Sequence, residues 1–124
     1  MRRGSAIGAA TLAVALLSAG CASEPALPIA SGVYRFEQKS AEHPSMPGAT
    51  LKATIEGRRI ELVNEADSPV FPRGVVAQGM LAWHVRSRQW IIAAGPGDAD
   101  ADEVGGCSGG PEVVDPVARI YWTC

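Results

Sequence analysis

The chain has 124 residues, 47% hydrophobic and 19% charged, which bounds it to one domain of ordinary globular composition. A formal net charge of -2 and the lack of a basic stripe leave little to neutralise a phosphate backbone, so no nucleic-acid partner is expected. Fourteen glycines and nine prolines predict frequent tight turns.

The first twenty residues do not read as part of the fold. Arg2 and Arg3 precede an uncharged apolar run from Ala6 to Leu17. That run is shorter than the ~20 helical residues that cross a bilayer. The small residues Ser18, Ala19 and Gly20 then lead to Cys21, which is the layout of a secretory signal with a cleavage site. The stretch Leu16–Cys21 resembles the lipobox of bacterial lipoproteins, with Ser18 standing where leucine is most usual. The resemblance implies that the Cys21 sulfur receives a diacylglycerol, that the chain is cut before Cys21, and that the new amine is acylated. Two or more acyl chains hold a protein on a membrane stably. Ala22, rather than aspartate, implies the outer membrane, with the protein facing the periplasm.

The expected organisation is therefore a cleaved signal over 1–20, a lipidated cysteine and flexible tether over 21–31, and a β domain over 32–124. The tether "ASEPALPIAS" (Ala22–Ser31) has two prolines and small residues, which favour an extended chain. Removing residues 1–20 takes two arginines and no acidic residue, leaving nine basic against thirteen acidic groups. With Cys21 taken by lipid, as the resemblance implies, one pairing is left for the other two cysteines, Cys107–Cys124. An oxidising compartment permits that bond. Chain entropy gives a loop of this length ~3 kcal/mol of stabilisation.

The rest reads as short strands and turns. "GVYRFEQ" (Gly32–Gln38) alternates as a first strand, and "KSAEHPSMPGA" breaks it. "TLKATIEGRRIELVN" (Thr50–Asn64) predicts a hairpin with Gly57-Arg58 at a type II′ tip. That register sets Ile55 opposite Ile60 and Ala53 opposite Leu62 on one face, with Glu56 opposite Arg59 on the other. "EADSPVFPRG" is a turn-rich crossing. "GMLAWHVRSRQWIIAAG" (Gly79–Gly95) predicts a second hairpin with Ser87-Arg88 at its tip. Its core face would pair Val85 with Trp90, Trp83 with Ile92, and Leu81 with Ala94, leaving His84, Arg86, Gln89 and Ile91 outside. A long acidic loop follows, and "VARIYWTC" (Val117–Cys124) reads as a final strand. The fold class expected is all-β: a small antiparallel barrel or sandwich of about six to eight short strands with one C-terminal disulfide.

Few motifs carry chemistry. Asp98, Asp100 and Asp102 alternate like the first ligands of a calcium loop. Glu103 stands where the sharp-turn glycine belongs and Gly109 where the bidentate glutamate belongs, so Asp98–Glu103 reads as a solvated acidic loop. His43 lies in a proline-flanked loop and reads as a surface residue. His84 has only distant carboxylates, Asp98 or Asp102, as partners and reads as structural. Three of the four aromatics Trp83, Trp90, Tyr121 and Trp122 are expected in the core, against a sugar-stacking alternative. No cofactor and no metal are expected. The reading is a non-enzymatic binding or interaction module on the envelope, with a protein or glycan partner. The alternatives are an envelope hydrolase, or an inhibitor of lysozyme. For the latter, "SGVY" (Ser31–Tyr34) is similar to the Ser-Gly-containing loop of small lipid-anchored inhibitors.

Overall fold

The computed structural model describes residues 24–69 and 71–124. Cys21 and the signal segment lie outside the described residues. Within them the chain forms seven strands: β1 (Gly32–Ser40), β2 (Thr50–Glu56), β3 (Arg59–Asn64), β4 (Gly74–His84), β5 (Gln89–Ala93), β6 (Glu112–Asp115) and β7 (Ile120–Thr123). One short 3-10 turn, Asp98–Asp100, lies between β5 and β6. Each strand pairs with the next, and β7 pairs with β1 to close a barrel. Six antiparallel steps leave β1 and β7 pointing the same way, so the closing pair is parallel, with Glu37 opposite Ile120 and Ser40 opposite Thr123.

The barrel interior is a packed core. Phe36, Leu51, Ala53, Ile55, Ile60, Leu62, Leu81, Val114 and Tyr121 point inward and are almost fully buried. The outer faces of β1 to β3 carry Arg35, Glu37, Lys52, Glu56, Arg59 and Glu61. On these three strands the pattern is polar outside and apolar inside, the reverse of strands that face lipid around a polar lumen.

The β2–β3 hairpin has the register expected from alternation: Ile55 opposite Ile60, Ala53 opposite Leu62, Glu56 opposite Arg59. Gly57 takes φ 61 while Arg58 stays at negative φ, as a type II′ tip requires. The second hairpin departs from its expected register by two residues. Trp83 faces Trp90, Leu81 faces Ile92, and Met80 faces Ala93. Its loop is Val85–Arg88, four residues long, and Arg88 sits at φ 55. Val85 is therefore an exposed loop residue instead of a core one. β4 also begins earlier than expected, at Gly74, with an irregularity opposite Leu62 and Val63.

The end of the chain differs as well. Val117–Arg119 form a turn, and the last strand starts only at Ile120. Glu112–Asp115, not anticipated as a strand, is β6 and forms a third hairpin with β7. The two late hairpins share a design. Asp115 Oδ1 accepts the backbone N–H groups of Val117 and Ala118 at 3.0 and 2.9 Å, and Arg119 follows at φ 60. In the β4–β5 loop His84 takes the acceptor role.

The acidic loop is not simply solvated. It covers the outer face of β5 and β6, where Ile91, Ala93 and Val113 are buried outside the main core. Asp98 Oδ2 accepts the N–H of Ala94 at 2.8 Å, and Asp102 pairs with Arg86 at 2.8 Å. The Cys107–Cys124 disulfide is formed, with Cα atoms 4.7 Å apart, and ties this loop to the end of β7. Gln38, buried beside the same seam, donates to Thr123 Oγ1 at 2.6 Å and accepts from Ala49 N–H at 3.3 Å. Glu24–Ser31, the described part of the segment read as a tether, has no strand or helix and lies against the barrel. Leu27 and Ile29 pack on the core, and Ser31 Oγ accepts the Gly57 N–H at 2.8 Å.

Candidate functional site

A filled barrel leaves function to its surface, and three features there are candidates. The first is a pocket of about 220 Å³ on one rim. Trp83, Trp90 and Trp122 all line it, with Arg88, Gln89 and Asp115. The sequence holds three tryptophans, so every one borders this pocket. Trp83 and Trp90 are cross-strand partners, packed edge to face with centroids 5.3 Å apart and planes at 66°. Trp122 comes from β7 and is half-buried on the face opposite Tyr121. The loop after β4 and the end of β6 bring Arg88 and Asp115 to the same rim.

The polar groups of the pocket are largely unspent. Arg88 and Gln89 have no side-chain partner among the described residues. Asp115 uses Oδ1 on its own turn and keeps Oδ2. Among the described residues none of the indole N–H groups has a protein acceptor, yet no side-chain nitrogen there is both sealed and unsatisfied. Trp90, only 7% exposed, therefore opens its N–H to accessible space.

The second candidate is a cleft of about 470 Å³ beside His84, lined also by Arg86, Ser87, Gln89 and Asp102. His84 is 2% exposed. Its Nε2 lies 2.6 Å from the carbonyl oxygen of Ala101, which can only accept, so Nε2 carries the proton. Nδ1 then accepts from Ser87 Oγ at 2.7 Å and from the Ser87 N–H at 3.2 Å. A serine hydroxyl on a histidine nitrogen has the form of a nucleophile and base. Here the same nitrogen also holds the loop backbone, as Asp115 does in the neighbouring hairpin. Hairpin closure, together with the clasp on Ala101, accounts for every bond His84 makes. Neither Asp98 nor Asp102 contacts it; both are engaged elsewhere.

The third is a shallow groove of about 560 Å³ on the outer face of β1 and β2. Arg35 and Lys52 stand directly opposite each other there, an unfavourable pairing that Glu65 relieves at 3.2 Å from Lys52. Arg119 lies over the Tyr34 ring, 4.8 Å from its centroid. These cations already have partners or open solvent.

A metal centre is not built from the acidic loop. Among the described residues the one cluster of ligand atoms in mutual reach is Glu42, Cys107 and Cys124, and its two sulfurs are bonded to each other. Of Ser31–Tyr34, Ser31 precedes β1 and Gly32–Tyr34 begin it, with Gly32 opposite Ile55. The rim pocket draws on β4, β5, β6, β7 and two loops, so no local motif in the sequence announced it. Alternation did assign Trp83 and Trp90 to one face. No family model matches the chain, and no curated protein or solved structure is significantly similar to it.

Proposed function

We propose that this chain is a lipid-anchored envelope protein whose barrel works as a non-enzymatic binding module, with the rim pocket as its contact site. The observation that carries the binding reading is the pocket itself: apolar ring surface and unspent donors and acceptors converge on a barrel whose interior is full. The anchor follows from the Leu16–Cys21 resemblance. A lipid on Cys21 sets the barrel close to the bilayer. Glu24 is already docked, pairing with Arg58 at 2.8 Å and accepting the backbone N–H of Trp83 at 3.3 Å. Three residues, 21–23, then separate lipid from barrel, a reach of about 10 Å.

The test is fractionation of Cys21→Ser in cells fed a palmitate analogue. The expected result is loss of label and release from the membrane. Label and membrane association both retained would overturn the anchor. Pull-down from envelope extracts, comparing the wild type with Trp122→Ala, tests the site; identical captured sets would remove the pocket from the reading.

A further inference from the structure

We infer that the rim pocket binds a single sugar ring, either of a free glycan or of a glycolipid headgroup; this rests on the binding-module reading above. A volume of about 220 Å³ falls below the ~300 Å³ at which pockets for drug-sized ligands begin, and suits one ring. The lining has two characters. All three tryptophans border the pocket, and the half-buried Trp83 and Trp122 offer it indole surface, whose negative quadrupole attracts the weakly positive C–H face of a pyranose. Arg88 supplies donors, Asp115 Oδ2 an acceptor, and Gln89 both.

A sugar hydroxyl is donor and acceptor at once, so a ring rimmed with hydroxyls uses this mixture fully. An aromatic side chain of a peptide would use the indoles alone. It would bury Arg88, Gln89 and Asp115 Oδ2 without partners, a penalty that falls on each polar group so desolvated. An anionic ring would gain from Arg88 and lose to Asp115. The neutral sugar is the ligand that leaves nothing in the pocket unpaired.

Location supports the same class. The pocket lies at the barrel end where the chain enters from residue 24, since the backbone N–H of Trp83 donates to Glu24. On a lipid-anchored protein that rim is near the bilayer, where glycolipid headgroups are presented.

The experiment uses the full chain purified in a sugar-free detergent and labelled with nitrogen-15. Each tryptophan contributes an indole N–H resonance. D-glucose, D-galactose and N-acetyl-D-glucosamine are titrated into the millimolar range, the affinity class of one small ring. A second arm adds micelles doped with glucosyl-diacylglycerol, and a third adds N-acetyl-tryptophanamide as a peptide side-chain probe. The expected result is saturable movement of indole resonances with at least one sugar, weakened about tenfold in Trp122→Ala and in Arg88→Ala. Tighter binding in the doped micelles than of the matching free sugar assigns the headgroup as the source; equal binding assigns the free glycan. Arg88, an exposed loop residue, keeps the test valid if Trp122→Ala fails to fold. Indoles unmoved by every sugar overturn the sugar assignment. If N-acetyl-tryptophanamide moves them instead, the ligand is a peptide and the binding-module reading stands. If no probe moves them and envelope extract does not either, that reading falls too.

Discussion

Cutting the Cys107–Cys124 bond tests how the barrel is held shut. The bond spans 17 residues of sequence, from the covering loop to the end of β7. In the chain-entropy account, tying such a loop in the unfolded chain removes about 10 cal/mol/K, or ~3 kcal/mol at 25 °C. Its position should make that stabilisation felt at one place. The β1–β7 pair is the closing seam, with register partners only from Glu37 to Ser40 on β1. The double variant Cys107→Ser with Cys124→Ser leaves neither partner behind as a lone thiol. Each kcal/mol moves Tm by about 4–8 °C in a domain of this size, so the variant should melt about 12–24 °C lower. Thermal unfolding followed by circular dichroism reads this directly. Wild type in reductant should melt with the variant. A shift under about 4 °C, with the bond confirmed by mass in the wild type, would refute the loop-entropy argument for this link.

Three further substitutions probe the fold. Gln38→Ala strips the seam of the partners of Thr123 Oγ1 and Ala49 N–H, and should cost about 1–3 kcal/mol in urea unfolding; an unchanged midpoint would mean that water replaces both bonds. Gly79 faces inward, and a Cβ there meets the carbonyl of Ala93 and the side chain of Ile92, so Gly79→Ala should destabilise by about 1–3 kcal/mol; a neutral result would show that β4 and β5 can part freely. Burial by its neighbours pushes the Glu112 carboxyl above its ordinary value of 4.5. The folded state then holds the proton more tightly than the unfolded state, so stability falls as pH rises from about 4.5 through the folded value, then levels off. Glu112→Gln should abolish that fall. The side chain still reaches solvent, so the expected gain in Tm at neutral pH is small, and it should vanish in acid. A gain that persists in acid would trace to packing instead of charge.

Legibility in this chain follows how local each determinant is. The β2–β3 hairpin was readable because its tip glycine and its two alternating strands lie within fifteen residues and agree. The β4–β5 hairpin was readable in face but not in register. A slip of two residues keeps every side chain on its side of the sheet, so alternation cannot tell the registers apart. Loop chemistry decides between them: His84 Nδ1 grips the Ser87 N–H, and Arg88 accepts a left-handed backbone. β6 was invisible for another reason. Val114 faces the core and Val113 faces the covering loop, so both are buried and no alternation remains. That loop is held by distant partners, His84 on Ala101 and Cys124 on Cys107. The candidate site lies further still from any local signal. Trp83 and Trp90 share one hairpin, but Trp122 comes from a strand that neither touches, across β6. The three meet because β4 to β7 are successive neighbours in the sheet, and the β4–β5 loop and the end of β6 place Arg88 and Asp115 on one rim. Trp122 lies on β7, whose outer edge is held by β1, so a change that opens the β1–β7 seam frees the strand that carries it and should weaken the site without altering any residue that lines it. The disulfide variant carries that consequence: where it remains folded, its indole resonances should respond less to sugar than those of the wild type.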